Sequence, residues 1–201
     1  MRYALLALAC ACKTEVPAPW RLDQDRVLAA RAEPPHLLPG QVAQLDALLA
    51  HADGATTVER PRGASAASAP GDLFTAVHYN IDHWEVQCPD EAALADARAA
   101  LGLAADAAVP LSVDAEFSGL LAKKIVWLGD AGANPPPPLI DVPDPLPPAL
   151  ELPAIGSWFT SCGELRDGTL VVAEPCTGEL AVVVRDEVGG VAWQVAGVHA
   201  N

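Results

Sequence analysis

The sequence predicts an all-β protein built from two β-sandwiches, the first of which contains one inserted helix. Short runs of β-forming residues recur along the chain and are separated by turn signals, a pattern typical of sandwiches. Nine prolines fall within residues 134–153, and a regular strand ladder cannot continue through them because proline lacks the N–H donor. We therefore expect one sandwich over residues 23–133 and a smaller one over residues 134–201.

The first sandwich is expected to begin with strands at residues 26–32 and 42–50. Glu33-Pro34-Pro35 ends the first strand, and Pro39-Gly40 makes the turn before the second. The second run is also compatible with a helix by propensity, so its assignment rests on its partial alternation. Residues 51–72 are rich in Ala, Ser, Gly and Thr, a composition that predicts a mobile loop.

Residues 73–88 are predicted to form one long strand, since they are rich in aromatic and β-branched residues. The apolar positions change parity between Ile81 and Trp84, which predicts a β-bulge near Asp82-His83. A helix is predicted over about residues 90–103, with acidic side chains in its first turn. Strands at residues 109–117 and 120–128 complete this sandwich.

The second sandwich is entered through the proline-rich segment, where a short edge strand is expected around residues 139–142. Glycine-containing turns then separate four short runs of β formers. The sequence DEVGG at residues 186–190 predicts a hairpin turn, because its glycines can adopt positive φ. The four strands are expected at residues 155–162, 169–173, 179–186 and 191–199.

The N-terminus has the order of a lipoprotein-type signal peptide over residues 1–11, followed by a tether over residues 12–22. Met1-Arg2 gives a positive start, residues 4–9 are apolar, and small residues and cysteines follow. Cys10 or Cys12 is the expected lipidation site, whose acyl chains partition into a membrane at about 0.8 kcal/mol per methylene. The apolar run is short, and the alternative is an apolar strand with two ordinary thiols.

Three further cysteines fit an exported protein. Cys162 and Cys176 enclose a short loop between two predicted strands and are the expected disulfide, since an oxidising compartment favours pairing. Cys88 is then a buried thiol or an alternative partner. The other reading is three buried free thiols.

The charge balance excludes one class of partner. The chain has 26 acidic and 12 basic residues, for a formal net charge of −14. Nucleic acids are not expected partners, because binding phosphates needs clustered Lys and Arg. The only basic pair, Lys123-Lys124, lies inside an apolar run.

A resemblance to known proteins rests on segments from both predicted sandwiches. They are RVLAARAEPP (26–35), PGQVAQLDALLA (39–50), HWEVQCP (83–89), AKKIVWLGDAGANP (122–135), SWFTSCGEL (157–165) and ELAVVVRDEVGGVAW (179–193). The chain resembles a group of bacterial lipoproteins with tandem immunoglobulin-like domains. This resemblance implies two immunoglobulin-like β-sandwiches, and it transfers no catalytic residues.

Candidate chemistries are few. His78, Asp82, His83 and Glu85 could suggest a metal site, but strand alternation places His78 and Asp82 on one face and His83 and Glu85 on the other. They are therefore expected to be polar residues facing water, with no metal bound. Cys88 near His83 is a candidate nucleophile pair, for which a structural thiol is the better reading.

Two further possibilities are a calcium site and a sugar-binding platform. The calcium site is disfavoured because aspartates in turns usually accept hydrogen bonds from backbone N–H groups. The sugar-binding platform is disfavoured because tryptophans in strands usually pack in a core, and only Trp20 lies outside the predicted strands, in the tether. No P-loop, GxSxG, GxGxxG or HExxH motif occurs, and no cofactor is expected. The calcium candidates are Asp141, Asp144, Asp167, Asp186 and Glu187.

The sequence therefore predicts a protein that is not an enzyme. We expect a membrane-anchored binding or scaffold module of the cell envelope, an outer-membrane lipoprotein attached through its N-terminal lipid to the membrane. Its partner would be a protein or a glycan. The alternative is an accessory, glycan-binding module of an envelope enzyme complex.

Overall fold

The computed structural model describes residues 18–68 and 71–201. Strands make up 51% of it, and Glu91–Leu101 (α1) is the one α-helix in this part of the chain. The predicted all-β class with one helix is confirmed at this level. The helix begins after Asp90, whose Oδ1 accepts the Ala93 N–H at 2.9 Å, and ends at Gly102, which has a φ of 65°.

The residues up to 133 form two sheets, which we call the N-terminal sheet pair. Its first sheet has the order β1-β3-β7-β6, with β4 also paired to β3, and its second has the order β2-β9-β8-β5. The strands are β1 (Arg26–Glu33), β2 (His36–Leu37), β3 (Val42–Ala50), β4 (Thr56–Glu59), β5 (Gly63–Ser68), β6 (Val77–Asn80), β7 (His83–Gln87), β8 (Val109–Phe117) and β9 (Leu120–Leu128).

The residues from 134 onwards form two three-stranded sheets, the C-terminal sheet pair. One sheet has the order β11-β14-β15 and the other β10-β13-β12. The strands are β10 (Ala149–Glu151), β11 (Ser157–Thr160), β12 (Glu164–Arg166), β13 (Thr169–Val171), β14 (Cys176–Arg185) and β15 (Val191–Ala200).

The four sheets lie in layers, because the two sheet pairs share an apolar interface. Leu48 of β3 and Ala181 and Val183 of β14 belong to one buried cluster. Ala47 and Leu49 point to the opposite face of β3, into the core of the N-terminal sheet pair. Residues 47–50 are consequently all buried, as expected for a strand that is covered on both faces.

Polar contacts add to this junction. The Asn134 Nδ2 donates to the Ala32 carbonyl at 2.9 Å and to Glu33 Oε2 at 2.7 Å, while its Oδ1 accepts the Val191 N–H at 2.8 Å. The Arg31 guanidinium lies 4.2 Å from the ring centroid of Trp193. The predicted boundary at residue 133 therefore lies beside a residue that joins the two sheet pairs.

Residues 51–72 were predicted to be a loop, and this prediction was wrong. They contain β4, which pairs with β3, and β5, which pairs with β8. The six residues of β5 are GASAAS, small residues with little strand propensity of their own. Pairing with a long neighbouring strand supplies what the local sequence lacks.

The prediction of a single strand at residues 73–88 was also wrong. A 3₁₀ helix occupies Gly71–Ala76, and β6 and β7 then form a hairpin in which Asn80 pairs with His83. The change of parity reflects a two-residue turn at Ile81 and Asp82, with Ile81 at a φ of 54°, so the predicted bulge is replaced by a turn.

The proline-rich segment differs from the prediction in two ways. A short ladder forms within it, because β10 pairs with β13. Residues 139–142 form no strand, although backbone N–H groups of the proline-rich segment still donate hydrogen bonds to residues of β15. Ile140 N–H donates to Gln194 Oε1 at 2.9 Å, and Leu146 N–H donates to the His199 carbonyl at 2.7 Å.

Candidate functional site

A cleft of about 440 Å³ lies where the two sheet pairs meet. One wall is residues 27–30 of β1, a second is residues 121–125 of β9, and the third is the end of β14 with the turn that follows it. The 186–190 turn is fixed in place by Asp186, whose Oδ1 accepts the N–H groups of Val188 and Gly190. Clefts between packed units are common ligand sites.

Lys124 is the buried charged residue of this cleft, with 8% of its surface exposed. Its Nζ donates to the Gly189 carbonyl. Burial lowers the pKa of Lys124 to about 8; nearby Asp186 opposes this shift and Arg185 adds to it. Within residues 18–68 and 71–201, no carboxylate lies within 4.0 Å of this ammonium, so its charge has no ion-pair partner.

The rim of the cleft combines apolar and basic groups. Leu121 and Ile125 are 79% and 45% exposed. Lys123 lies 3.5 Å from Asp114, and the Arg185 Nη2 donates to the Leu28 carbonyl at 2.8 Å. The only two adjacent lysines of the chain therefore line this cleft and give it local positive charge, although the net charge of the chain is −14.

The edge of β9 is open along this cleft. Strand β8 pairs with all nine residues of β9, but β2 on the other side pairs only with Trp127 and Leu128. The Trp127 N–H donates to the Pro35 carbonyl, away from β8. Because backbone groups alternate along a strand, those of Leu121, Lys123 and Ile125 face the same open side.

The histidine cluster lies elsewhere, on the β6–β7 hairpin, and its arrangement corrects the prediction. His78 Nε2 lies 2.8 Å from Glu85 Oε1, and His83 Nε2 lies 3.3 Å from Glu85 Oε2. The hairpin brings both histidines to the same carboxylate, whereas a single strand would have separated them. Asp82 contacts His83 at 2.6 Å.

Glu85 is the buried centre of this cluster. Burial alone would raise the pKa of Glu85, but hydrogen bonds from Asn80 and His78, together with interactions with His78 and His83, outweigh it and lower the pKa. In the described part of the chain, no three His, Cys, Asp or Glu side chains are arranged to hold a metal ion.

The cysteines have separate environments. Cys162 and Cys176 form the predicted disulfide, which is confirmed. Cys88 is a free thiol buried in the core, and burial raises its pKa. Both ring nitrogens of His83 lie beside carboxylates, Asp82 and Glu85, and not beside this thiol. Cys10 and Cys12, the predicted lipidation sites, lie outside the described residues.

Most of the tryptophan side chains contact other residues of the protein. Trp127 stacks on His36, Trp193 lies under Arg31, and Trp158 donates its Nε1–H to the Pro153 carbonyl. Trp84 meets Tyr79 edge to face, with the ring centroids 5.6 Å apart, and Tyr79 is 57% exposed.

Trp20 of the predicted tether is half-buried beside Arg21.

Throughout residues 18–68 and 71–201, no helix has the length and apolar composition needed to cross a bilayer.

Comparison with known proteins gives no relatives. No family model, no curated protein and no solved structure matches the chain.

Proposed function

We propose that this protein is an exported, lipid-anchored binding module of the cell envelope, built from two immunoglobulin-like sandwiches and without catalytic activity. The observation that carries this proposal is the Cys162–Cys176 disulfide, because such bonds persist in oxidising compartments outside the cytoplasm. It agrees with the order of charge, apolar run and cysteine at residues 1–12.

The strand order supports the immunoglobulin-like assignment of the N-terminal sheet pair. An immunoglobulin sandwich has strands A, B, E and D in one sheet and C, F and G in the other. The order β1-β3-β7-β6 matches A-B-E-D, and β5, β8 and β9 match C, F and G. Helix α1 then lies between the strands equivalent to E and F.

The C-terminal sheet pair fits the same scheme with one strand fewer. The order β10-β13-β12 matches B-E-D, and β11-β14-β15 matches C-F-G. The segment that includes Ile140 and Leu146 runs beside β15, where a first strand would lie. Trp158 on the strand equivalent to C packs in one cluster with both disulfide cysteines. This disulfide differs from the one in antibody domains, because it joins the ends of the C- and F-equivalent strands of one sheet and not strands B and F of two sheets.

The polar clusters support recognition in preference to catalysis. Glu85 is engaged by His78 and Asn80, and the Cys88 thiol is buried with a raised pKa, which disfavours the reactive thiolate. The cleft between the sheet pairs offers a basic, partly apolar surface on a rigid scaffold, an arrangement suited to binding.

Expression in a Gram-negative host tests the anchor. We expect the protein in the membrane fraction, with an intact mass that shows loss of the first 9 or 11 residues and addition of acyl chains to Cys10 or Cys12. Cys10→Ala and Cys12→Ala, made separately, should differ, because only one of them removes the lipid. An unmodified Met1 in the cytosolic fraction, with Cys162 and Cys176 reduced, would contradict the proposal.

The exposed Tyr79 beside Trp84 favours one alternative, a glycan-binding accessory module, because sugars stack on exposed aromatic rings. A glycan array with the wild type and with Tyr79→Ala tests it. Strong binding that this variant loses would support the alternative, and uniform absence of binding would remove it.

A further inference from the structure

The open edge of β9 is a site where another strand can add to the sheet. On this side, no strand of the described residues pairs with positions 120–126. The N–H and C=O groups of Leu121, Lys123 and Ile125 therefore offer hydrogen bonds to an extended chain. Peptides commonly bind in this way to the free edge of a sheet, with main-chain bonds giving affinity and pockets giving specificity.

The positive charge of Lys124 at this edge indicates which kind of peptide would bind there. Lys124 points to the β1 side, since Val126 and Leu128 on the same face of β9 lie in the core. Its ammonium has three N–H donors, and within the described chain it makes one hydrogen bond, to the Gly189 carbonyl. A carboxylate that entered the cleft would give this buried charge a partner.

We propose that the cleft between the sheet pairs binds an extended acidic peptide, which pairs with the open edge of β9 and places a carboxylate on Lys124. Apolar side chains of the same peptide would pack on the exposed Leu121 and Ile125. Residues 27–30 of β1 form the wall of the cleft that faces this edge. This inference rests on the proposed function and names the partner class of that binding module.

A second copy of the chain is a poorer occupant. Two β9 edges paired antiparallel about position 123 would place Lys123 opposite Lys123, and like charges directly opposite each other destabilise a sheet. Lysine on an edge strand is also a common guard against such self-association. An acidic peptide meets the same lysine with the opposite charge.

Fluorescence anisotropy on the full chain in detergent tests the proposal. The probe is a labelled Thr-Val-Glu-Val-Thr peptide; one control peptide has Gln in place of Glu, and another carries N-methyl groups at alternate residues. We expect the Gln peptide to bind about tenfold more weakly, since a charge-assisted hydrogen bond is lost. The N-methylated peptide should not bind, because it cannot pair with the edge.

Two variants with the same change of charge locate the carboxylate. Lys124→Met should weaken binding of the acidic peptide about tenfold or more and leave the affinity for the Gln peptide unchanged. Lys123→Met, one residue away and on the opposite face, should have a smaller effect. Hydrogen exchange measured by mass spectrometry should show peptide-induced protection in β9.

Three results would each overturn the proposal: no binding of the acidic peptide, equal binding by wild type and Lys124→Met, or protection confined to strands other than β9. Protection of β9 that depends on protein concentration alone would identify a second copy as the occupant. The mass and location of the N-terminus are measured independently. Peptide binding can therefore fail while the lipid anchor is found, and the reverse can also occur.

Discussion

At the residue scale, Lys124 is held in the folded protein at a cost in stability. A fall in its pKa from 10.5 to about 8 means that folding destabilises the protonated form, relative to the neutral form, by about 3 kcal/mol. We predict that Lys124→Met raises the stability at pH 7 by about 1–3 kcal/mol. Urea unfolding of both proteins measures this difference.

The pH dependence of the stability gives a second test of the buried charge of Lys124. Between pH 8 and 10.5 the unfolded lysine binds a proton that the folded one does not, so wild-type stability should rise with pH in this range. The Lys124→Met protein should lack this rise, and Lys123→Met should keep it. A Lys124→Met protein that is less stable than wild type at pH 7 would show that the buried ammonium is stabilising.

Glu85 has the opposite electrostatic character. Its lowered pKa means that its carboxylate stabilises the fold above the usual glutamate value of 4.5 and loses that contribution as the pH falls through the lower, folded value. We predict that Glu85→Gln lowers the stability at pH 7 by about 1–3 kcal/mol and flattens the acid limb of the stability curve. The exposed Glu187→Gln is the control, and its curve should match that of wild type.

Sequence reasoning did not find the cleft, and it used the Lys123-Lys124 pair only to argue against nucleic-acid binding. The Lys123-Lys124 pair is visible in the sequence, and alternation implies that one of the two points inward. The burial of Lys124 depends on the Gly189 carbonyl, 65 positions further along the chain, and no local pattern encodes that approach. His78 and Glu85 were assigned to opposite faces because the turn between them was missed.

At the element scale, the β6–β7 turn has an unfavourable residue. Ile81 has a φ of 54° and is 91% exposed, and a β-branched side chain is strained in this region. We predict that Ile81→Gly stabilises the protein by about 1 kcal/mol, measured as a higher midpoint of thermal unfolding. Ile155→Gly, at an exposed isoleucine outside the positive-φ set, should give no gain; equal midpoints for both variants would contradict the strain argument.

The same turn shows why some elements could be predicted and others could not. The ranges 42–50, 109–117 and 120–128 were predicted with the bounds that β3, β8 and β9 have, because their patterns are long. The turn at Ile81 and Asp82 contains no glycine, and the turn-forming residues Asn80 and Asp82 stand singly within a run of β formers. Strand β5 consists of small residues, and β10 has only three residues between prolines, so both depend on partners distant in sequence.

The disulfide stabilises the C-terminal sheet pair. It joins residues separated by 14 positions, which corresponds to about 3 kcal/mol in the chain-entropy treatment. We predict that the double variant Cys162→Ser/Cys176→Ser is less stable by about this amount in urea unfolding. A reductant should lower the stability of the wild type to the same level and leave the double variant unchanged; an effect of reductant on the double variant would point to another thiol.

At the scale of the whole molecule, the two sheet pairs are expected to unfold together. The cluster of Leu28, Leu48, Ala181 and Val183 is buried between them, so separation would expose apolar surface on both sides at about 25 cal/mol per Å². Arg31 reinforces this junction, because it pairs with Asp46 at 2.6 Å while lying over Trp193. The cleft keeps its shape only while this junction holds, since its walls come from both sheet pairs.

Asn134 makes three polar contacts at the junction, and its removal tests the coupling. Asn134→Ala eliminates three hydrogen bonds, to Ala32, Glu33 and Val191, at about 1 kcal/mol each. We predict that calorimetry of the variant shows two thermal transitions in place of one, with the C-terminal sheet pair melting first.

A second substitution separates the two sides of this contact. Asn134→Asp keeps the acceptor for the Val191 N–H but loses both donated bonds and places a carboxylate 2.7 Å from Glu33 Oε2. It should therefore destabilise the junction at least as much as Asn134→Ala at pH 7, and less at a pH where the two carboxyl groups share a proton. Asn201→Ala, at the exposed C-terminus, should leave the single transition intact. If Asn134→Ala also unfolds in one transition with the wild-type midpoint, the apolar cluster and the remaining polar contacts couple the two sheet pairs without Asn134.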